Sequence, residues 1–129
     1  MMARYEHLPV YKLAMELGIF LQGVVRKFSR YNKYSIGSEL REVSIRIIRL
    51  IVRANSTESG RSEVLQELVE NCELFKTMLV FAKEGKAFDN FNSFQQLSKM
   101  AVLLSKQSEG WLKSSKKSLN CQPPERAGR

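Results

Sequence analysis

Only three prolines occur in the chain, Pro9, Pro123 and Pro124, so the span from Val10 to Gln122 is free of the residue that most strongly breaks helices. Within that span apolar residues recur three and four apart, the spacing of one helical face, and no alternating stretch of useful length is present. Four helical segments are predicted. The first follows Pro9 at a first-turn position, carries Leu13, Leu17, Phe20, Val24, Phe28 and Tyr31, and ends near Arg30. The second runs from Ser35 to Asn55 on Ile36, Leu40, Val43, Ile47, Leu50 and Ala54, with Ser35 or Ser38 as its cap. The run STESGRSE is a loop, and Ser62 caps a third helix on Leu65, Leu68, Cys72, Phe75, Leu79 and Ala82 that stops near Gly85. After the connector KAFDNFNSF, a fourth helix on Phe94, Leu97, Ala101, Leu104, Ser108 and Trp111 extends to about Lys117.

Short connectors make neighbouring helices antiparallel. The expected fold is therefore all-α: an up-down-up-down antiparallel four-helix bundle over residues 9–117, after an N-terminal extension (1–8) and before a disordered tail (118–129). A chain of 129 residues suffices for one such core. A bundle needs one apolar stripe per helix. The second and third helices have another, Ile45/Ile48/Val52 and Leu74/Met78/Phe81. These stripes either widen the buried face or pack against further copies of the chain.

Charge is the other constraint. The net charge of +8 and pI near 9.7 favour polyanionic partners such as nucleic acid. The excess is uneven: the third helix has three basic and six acidic residues, whereas the fourth has five basic and one acidic. All four basic positions of the second helix, Arg41, Arg46, Arg49 and Arg53, are arginine, whose planar fork matches phosphate oxygens. The end of the first helix adds Arg26, Lys27 and Arg30, followed by Lys33, and the fourth helix adds Lys106 and Lys113. These ten residues are the candidate nucleic-acid-binding set. If about six of them met phosphates, affinity would fall about five decades per decade of salt. The alternative is that the arginines pair with the acidic third helix across a subunit boundary. Tyr31 and Tyr34, flanking Lys33 in RYNKY, are candidates either for packing or for stacking on unpaired bases.

No Gly-rich phosphate loop, paired-histidine, CxxC or nucleophile motif occurs, so neither an enzyme nor a cofactor or metal site is expected. His7 is the lone histidine, and Cys72 and Cys121 do not form a designed pair. No apolar run spans a membrane and no secretory leader is evident, which points to a cytoplasmic protein.

Three stretches, LPVYKLAMEL, FSRYNKYSIGSELREVSIRIIRLIVRAN and SKQSEGWLKSSKK, together resemble a known family. It is the group of small four-helix-bundle proteins that includes Avd, the accessory variability determinant of diversity-generating retroelements. A second branch is encoded by intervening sequences in bacterial large-subunit ribosomal RNA genes. The resemblance covers about residues 8–117 and is anchored on Tyr34-Ser35-Ile36-Gly37, on Arg53-Ala54-Asn55 and on Trp111 with Lys113. It implies a homopentamer with a basic surface that binds nucleic acid and, for Avd, the retroelement reverse transcriptase. On that reading Ile45, Ile48, Val52, Leu74, Met78 and Phe81 are oligomer-interface residues. The other readings are a ribosomal RNA-associated intervening-sequence protein and a purely structural, oligomeric docking module.

Overall fold

Pro9, in the first turn where its missing N–H costs nothing, opens a helix that continues to Arg26. The computed structural model describes the backbone of residues 8–121 and the side chains of residues 8–117. Residues 1–7 of the expected extension, His7 included, and residues 122–129 of the expected tail lie outside the described residues. The elements are α1 (Pro9–Arg26), a single turn α2 (Arg30–Lys33), α3 (Ile36–Ser56), α4 (Arg61–Glu84) and α5 (Phe91–Cys121). Four long helices and one short turn thus make up an all-helical, bundle-like fold, with no strand among the described residues.

Four boundaries differ from expectation, among them the start of α5 at Phe91, inside the expected connector. The first helix stops at Arg26, because Lys27 and Phe28 donate to Val24 and Val25 in a tighter turn and Ser29 caps a new one. The start of α4 is set not by Ser62 but by Gly60, whose left-handed φ of 81° turns the chain into Arg61. The fourth helix continues past Lys117 to Cys121, into the segment expected to be tail.

The core follows the predicted stripes closely in α3, α4 and α5. Leu40, Val43, Ile47, Leu50 and Ala54 are buried, as are all six stripe residues of α4, and Leu97, Ala101, Leu104 and Ser108 of α5. In α1 the stripe is displaced: Val10, Ala14, Leu17, Leu21, Val24 and Val25 are buried, while Phe20 is exposed; beyond α1, Phe28 of the predicted stripe is buried and Tyr31, in α2, is exposed.

The long helices close a ring in which α1 and α4 each pack against both α3 and α5. Neighbours meet in opposed register. Arg46 reaches Asn71 and Arg53 reaches Glu67 across α3 and α4. The Cys72 and Ser108 side chains lie 3.6 Å apart across α4 and α5, and the Lys83 ammonium sits 5.2 Å from the centre of the Phe94 ring farther along. Gly37 seats the start of α3 against the end of α1. A Cβ there would lie 2.8 Å from Val25 Cγ1 and 3.0 Å from the Asn32 carbonyl oxygen, so no larger residue fits unchanged.

Both crossings at this end of the molecule, α1 to α3 and α4 to α5, are joined by aromatic contacts. Phe28 stands edge-on to Phe88 at 5.4 Å, and Phe88 edge-on to Phe94 at 5.6 Å. At the opposite end, Arg61 closes the α3–α4 loop. Its Nε donates to the Ala54 and Thr57 carbonyls, both at 2.8 Å, and its Nη2 to Asn55 at 3.3 Å. These acceptors are carbonyls of the last turn of α3 and the residue beyond it, where a helix lacks internal donors and a cation is favoured.

Candidate nucleic-acid interface

The ten basic residues singled out from the sequence do not form one patch. Arg26, Lys27 and Arg30 are exposed and Lys33 half-buried where α1 passes through α2 into α3, which we call the link end. Lys113 is exposed on α5 beside Trp111 and Ser114, which border a cleft with Glu58–Glu63 at the far end. Lys106 is exposed midway along α5, beside Val102 and Leu103. The α5 cations therefore do not converge with those of the link.

The α3 arginines divide into two kinds. Arg46 Nη1 donates to Asn71 Oδ1 at 3.1 Å, and its Nη2 lies 3.8 Å from Glu42. Asn71, 8 % exposed, is itself pinned by donation from Nδ2 to the Glu67 carbonyl at 2.9 Å. Arg53 faces the Glu67 carboxylate at 3.9 Å. The arginine-to-acidic-helix pairing weighed from the sequence thus occurs, but within one chain and along the α3–α4 seam. Arg49 is exposed and Arg41 half-buried, and neither forms an ion pair with a described residue.

At the link end, Arg26, Lys27, Arg30, Lys33 and, from the α4–α5 crossing, Lys86 also lack a described carboxylate within ion-pair distance. Lys83 differs in being paired with Glu84 at 3.2 Å. The acidic residues nearby in the fold are Glu39, Glu84 and Asp89, so the end is net cationic. Its turn is held by Ser29, whose hydroxyl accepts from the Asn32 N–H at 3.3 Å, and by Ser35, whose hydroxyl donates to the Tyr31 carbonyl at 2.7 Å. Ser35, one of the two caps expected for α3 with Ser38, stands at its N-cap position, but its hydroxyl bonds backward to Tyr31 rather than to the first turn of α3. Lys86, in the expected connector after α4, joins this group because the chain folds back there, its neighbour Gly85 lining the same cleft as Tyr31 and Tyr34.

The residues marked for an oligomer interface split as well. Ile45, Leu74 and Phe81 are exposed, while Ile48, Val52 and Met78 are half-buried. Ile48 packs toward α1, its Cδ1 lying 3.9 Å from where a Gly18 Cβ would stand. Met15 and Ile19 of α1 are exposed too, so apolar surface continues beyond the two predicted stripes.

Two groups titrate away from their usual ranges. Donation from the Ser105 hydroxyl at 2.7 Å, reinforced by Lys76 at 3.0 Å, lowers the Glu73 carboxyl. Burial pushes the Cys72 thiol up to about 11 and keeps it a neutral, core-filling group. No helix among the described residues is long and apolar enough to cross a membrane. In comparisons with known proteins, no family model matches the chain and no curated protein is significantly similar to it.

Proposed function

We propose that this chain is a non-catalytic, nucleic-acid-binding accessory protein of a diversity-generating retroelement, akin to Avd. In this reading an up-down-up-down antiparallel bundle assembles into a cytoplasmic homopentamer that binds the element's reverse transcriptase and its RNA or DNA. The observation that carries it is the link-end cluster of Arg26, Lys27, Arg30 and Lys33. These are cations free of ion-pair partners among the described residues, on a chain of net charge +8. Such side chains bind phosphates by displacing condensed counterions rather than by breaking internal pairs. Arg41 and Arg49 are the α3 arginines without an ion pair to a described residue, Arg41 the nearer of the two along the helix to the link end, and Arg46 and Arg53 serve the α3–α4 seam.

The test is salt-dependent binding of RNA and DNA by the full chain and by the triple variant Arg26→Ala, Lys27→Ala, Arg30→Ala. The variant should bind more weakly, with the log–log salt slope reduced by about 0.9 for each lost duplex phosphate contact. An unchanged slope would remove this end from the interface. Light scattering should give a mass near five times the 14.9 kDa chain.

The exposed Ile45, Leu74 and Phe81 favour a second reading, a structural docking module whose charge serves subunit contacts. It requires assembly without nucleic-acid binding at low salt. The ribosomal RNA-associated branch shares the binding chemistry and is separated by genomic setting: ribosomal RNA flanks instead of a reverse transcriptase gene with near-identical repeats.

A further inference from the structure

We propose that the cleft beside α2 is a stacking site for the bases of an unpaired nucleic-acid strand. The proposal rests on the nucleic-acid reading above and adds to it a place and a strand form.

Two aromatic rings, Tyr31 and Tyr34 from the α2 turn and its end, border one cleft of about 540 Å³ whose opposite wall includes Phe81 of α4, a residue the pentamer reading places in the subunit interface. The two tyrosines are 80 and 70 % exposed. Rings this open forgo the burial that normally places aromatics in a core, and a planar apolar ligand restores it. Tyr31 and Tyr34 stand three residues apart, one helical turn, and so project from the same side. Their backbone is held in advance of binding: Lys33 N–H donates to the Ser29 carbonyl at 2.8 Å, and the Ser35 hydroxyl fixes the Tyr31 carbonyl. Phe28, buried against Phe88, anchors the turn to the body of the protein.

Charge selects the ligand. None of the cations lines the cleft itself, but Arg30 and Lys33 belong to the same turn as the tyrosines and Arg26 and Lys27 immediately precede it, so a strand leaving the rings has cations within a few residues of them for its phosphates. Glu39 is the carboxylate lining the cleft, and it repels phosphate there while accepting from exocyclic base amines. A strand that lays its bases on the tyrosines and its phosphates on the arginine and lysine side meets both conditions. A duplex does not, because its base faces are covered by stacking within the helix.

The experiment measures fluorescence anisotropy of labelled oligo(dT), oligo(U) and a blunt DNA hairpin with the full chain, at several salt concentrations. Tyr31→Ala with Tyr34→Ala should weaken single-strand binding at least about fivefold, with hairpin affinity changed less than about twofold. Its salt slope should match the parent's, because no charge is removed. Tyr31→Phe with Tyr34→Phe should restore single-strand binding, and far-ultraviolet circular dichroism should show the parent's helix content in both variants. Parent protein that binds no probe at low salt would overturn the nucleic-acid reading and the stacking site together. Parent binding that the alanine pair leaves intact, or weakens equally on strand and hairpin, would overturn the stacking site alone.

Discussion

The Arg46 guanidinium donates to Asn71 across the α3–α4 seam, and Asn71 in turn donates to the Glu67 carbonyl, so one arginine of the cationic helix is committed to holding its acidic neighbour. Removing it strands a buried acceptor. Arg46→Ala should lower stability by about 1–2 kcal/mol, whereas exposed Arg49→Ala should change it by less than about 0.5 kcal/mol. Urea unfolding of the two variants measures the difference, and equal midpoints would contradict the structural role of Arg46.

Gly37 and Gly23 make opposite predictions for the same change. Gly37→Ala drives a methyl against Val25 and the Asn32 carbonyl and should cost about 1–3 kcal/mol. Gly23→Ala, in the interior of α1 with nothing but its immediate chain neighbours and the helix's own backbone within 4 Å of the added carbon, should stabilise by about 0.5–1 kcal/mol. Thermal unfolding should therefore shift in opposite directions for the two variants.

The end of α4 has its left-handed residue one place later than the glycine. Lys86 takes φ 61°, while Gly85 stays at φ −82°. Lys86 N–H bonds the Lys83 carbonyl at 3.0 Å and Ala87 N–H the Ala82 carbonyl at 2.9 Å, closing the helix in a Schellman arrangement. Lys86→Gly should raise stability by about 1 kcal/mol, because glycine meets no penalty in that conformation. A variant less stable than the parent would contradict this assignment.

Glu73 contributes an acid-sensitive increment. Its carboxyl is held below the usual range, first by Ser105 and then by Lys76, so its stabilisation is complete above the ordinary carboxylate pKa. That increment is lost as pH falls through the lowered folded value. Glu73→Gln should be less stable than the parent near neutral pH, and the gap should close under acid. Urea midpoints taken from neutral to acid pH test it, and a pH-independent gap would rule it out.

These particulars show which physics a single sequence exposes. The stripe from Leu65 to Ala82 was readable because α4 runs unbroken, so one phase holds along its length and every stripe residue is buried. In α1 a step of three from Leu17 gives Phe20 and a step of four gives Leu21. Both obey helical spacing, and only the packing against α3 and α5 selects Leu21. Tyr31 was carried past a helix end that the apolar pattern does not mark, although Ser29, a strong capping residue, was a usable signal. Pairing between the arginines and the acidic helix is legible in the sequence as an alternative, but not which arginines make it, since Arg46 and Asn71 are separated by a loop and half of each helix. The two tyrosines were visible as an aromatic pair around Lys33, but Phe81 joins them only through the fold.

The Phe28–Phe88–Phe94 chain of edge-on rings bears on how the molecule would respond to load. Two crossovers far apart in the polypeptide, the α1–α3 link and the α4–α5 connector, are joined through these rings, so a displacement of the RYNK turn reaches the root of α5 as well.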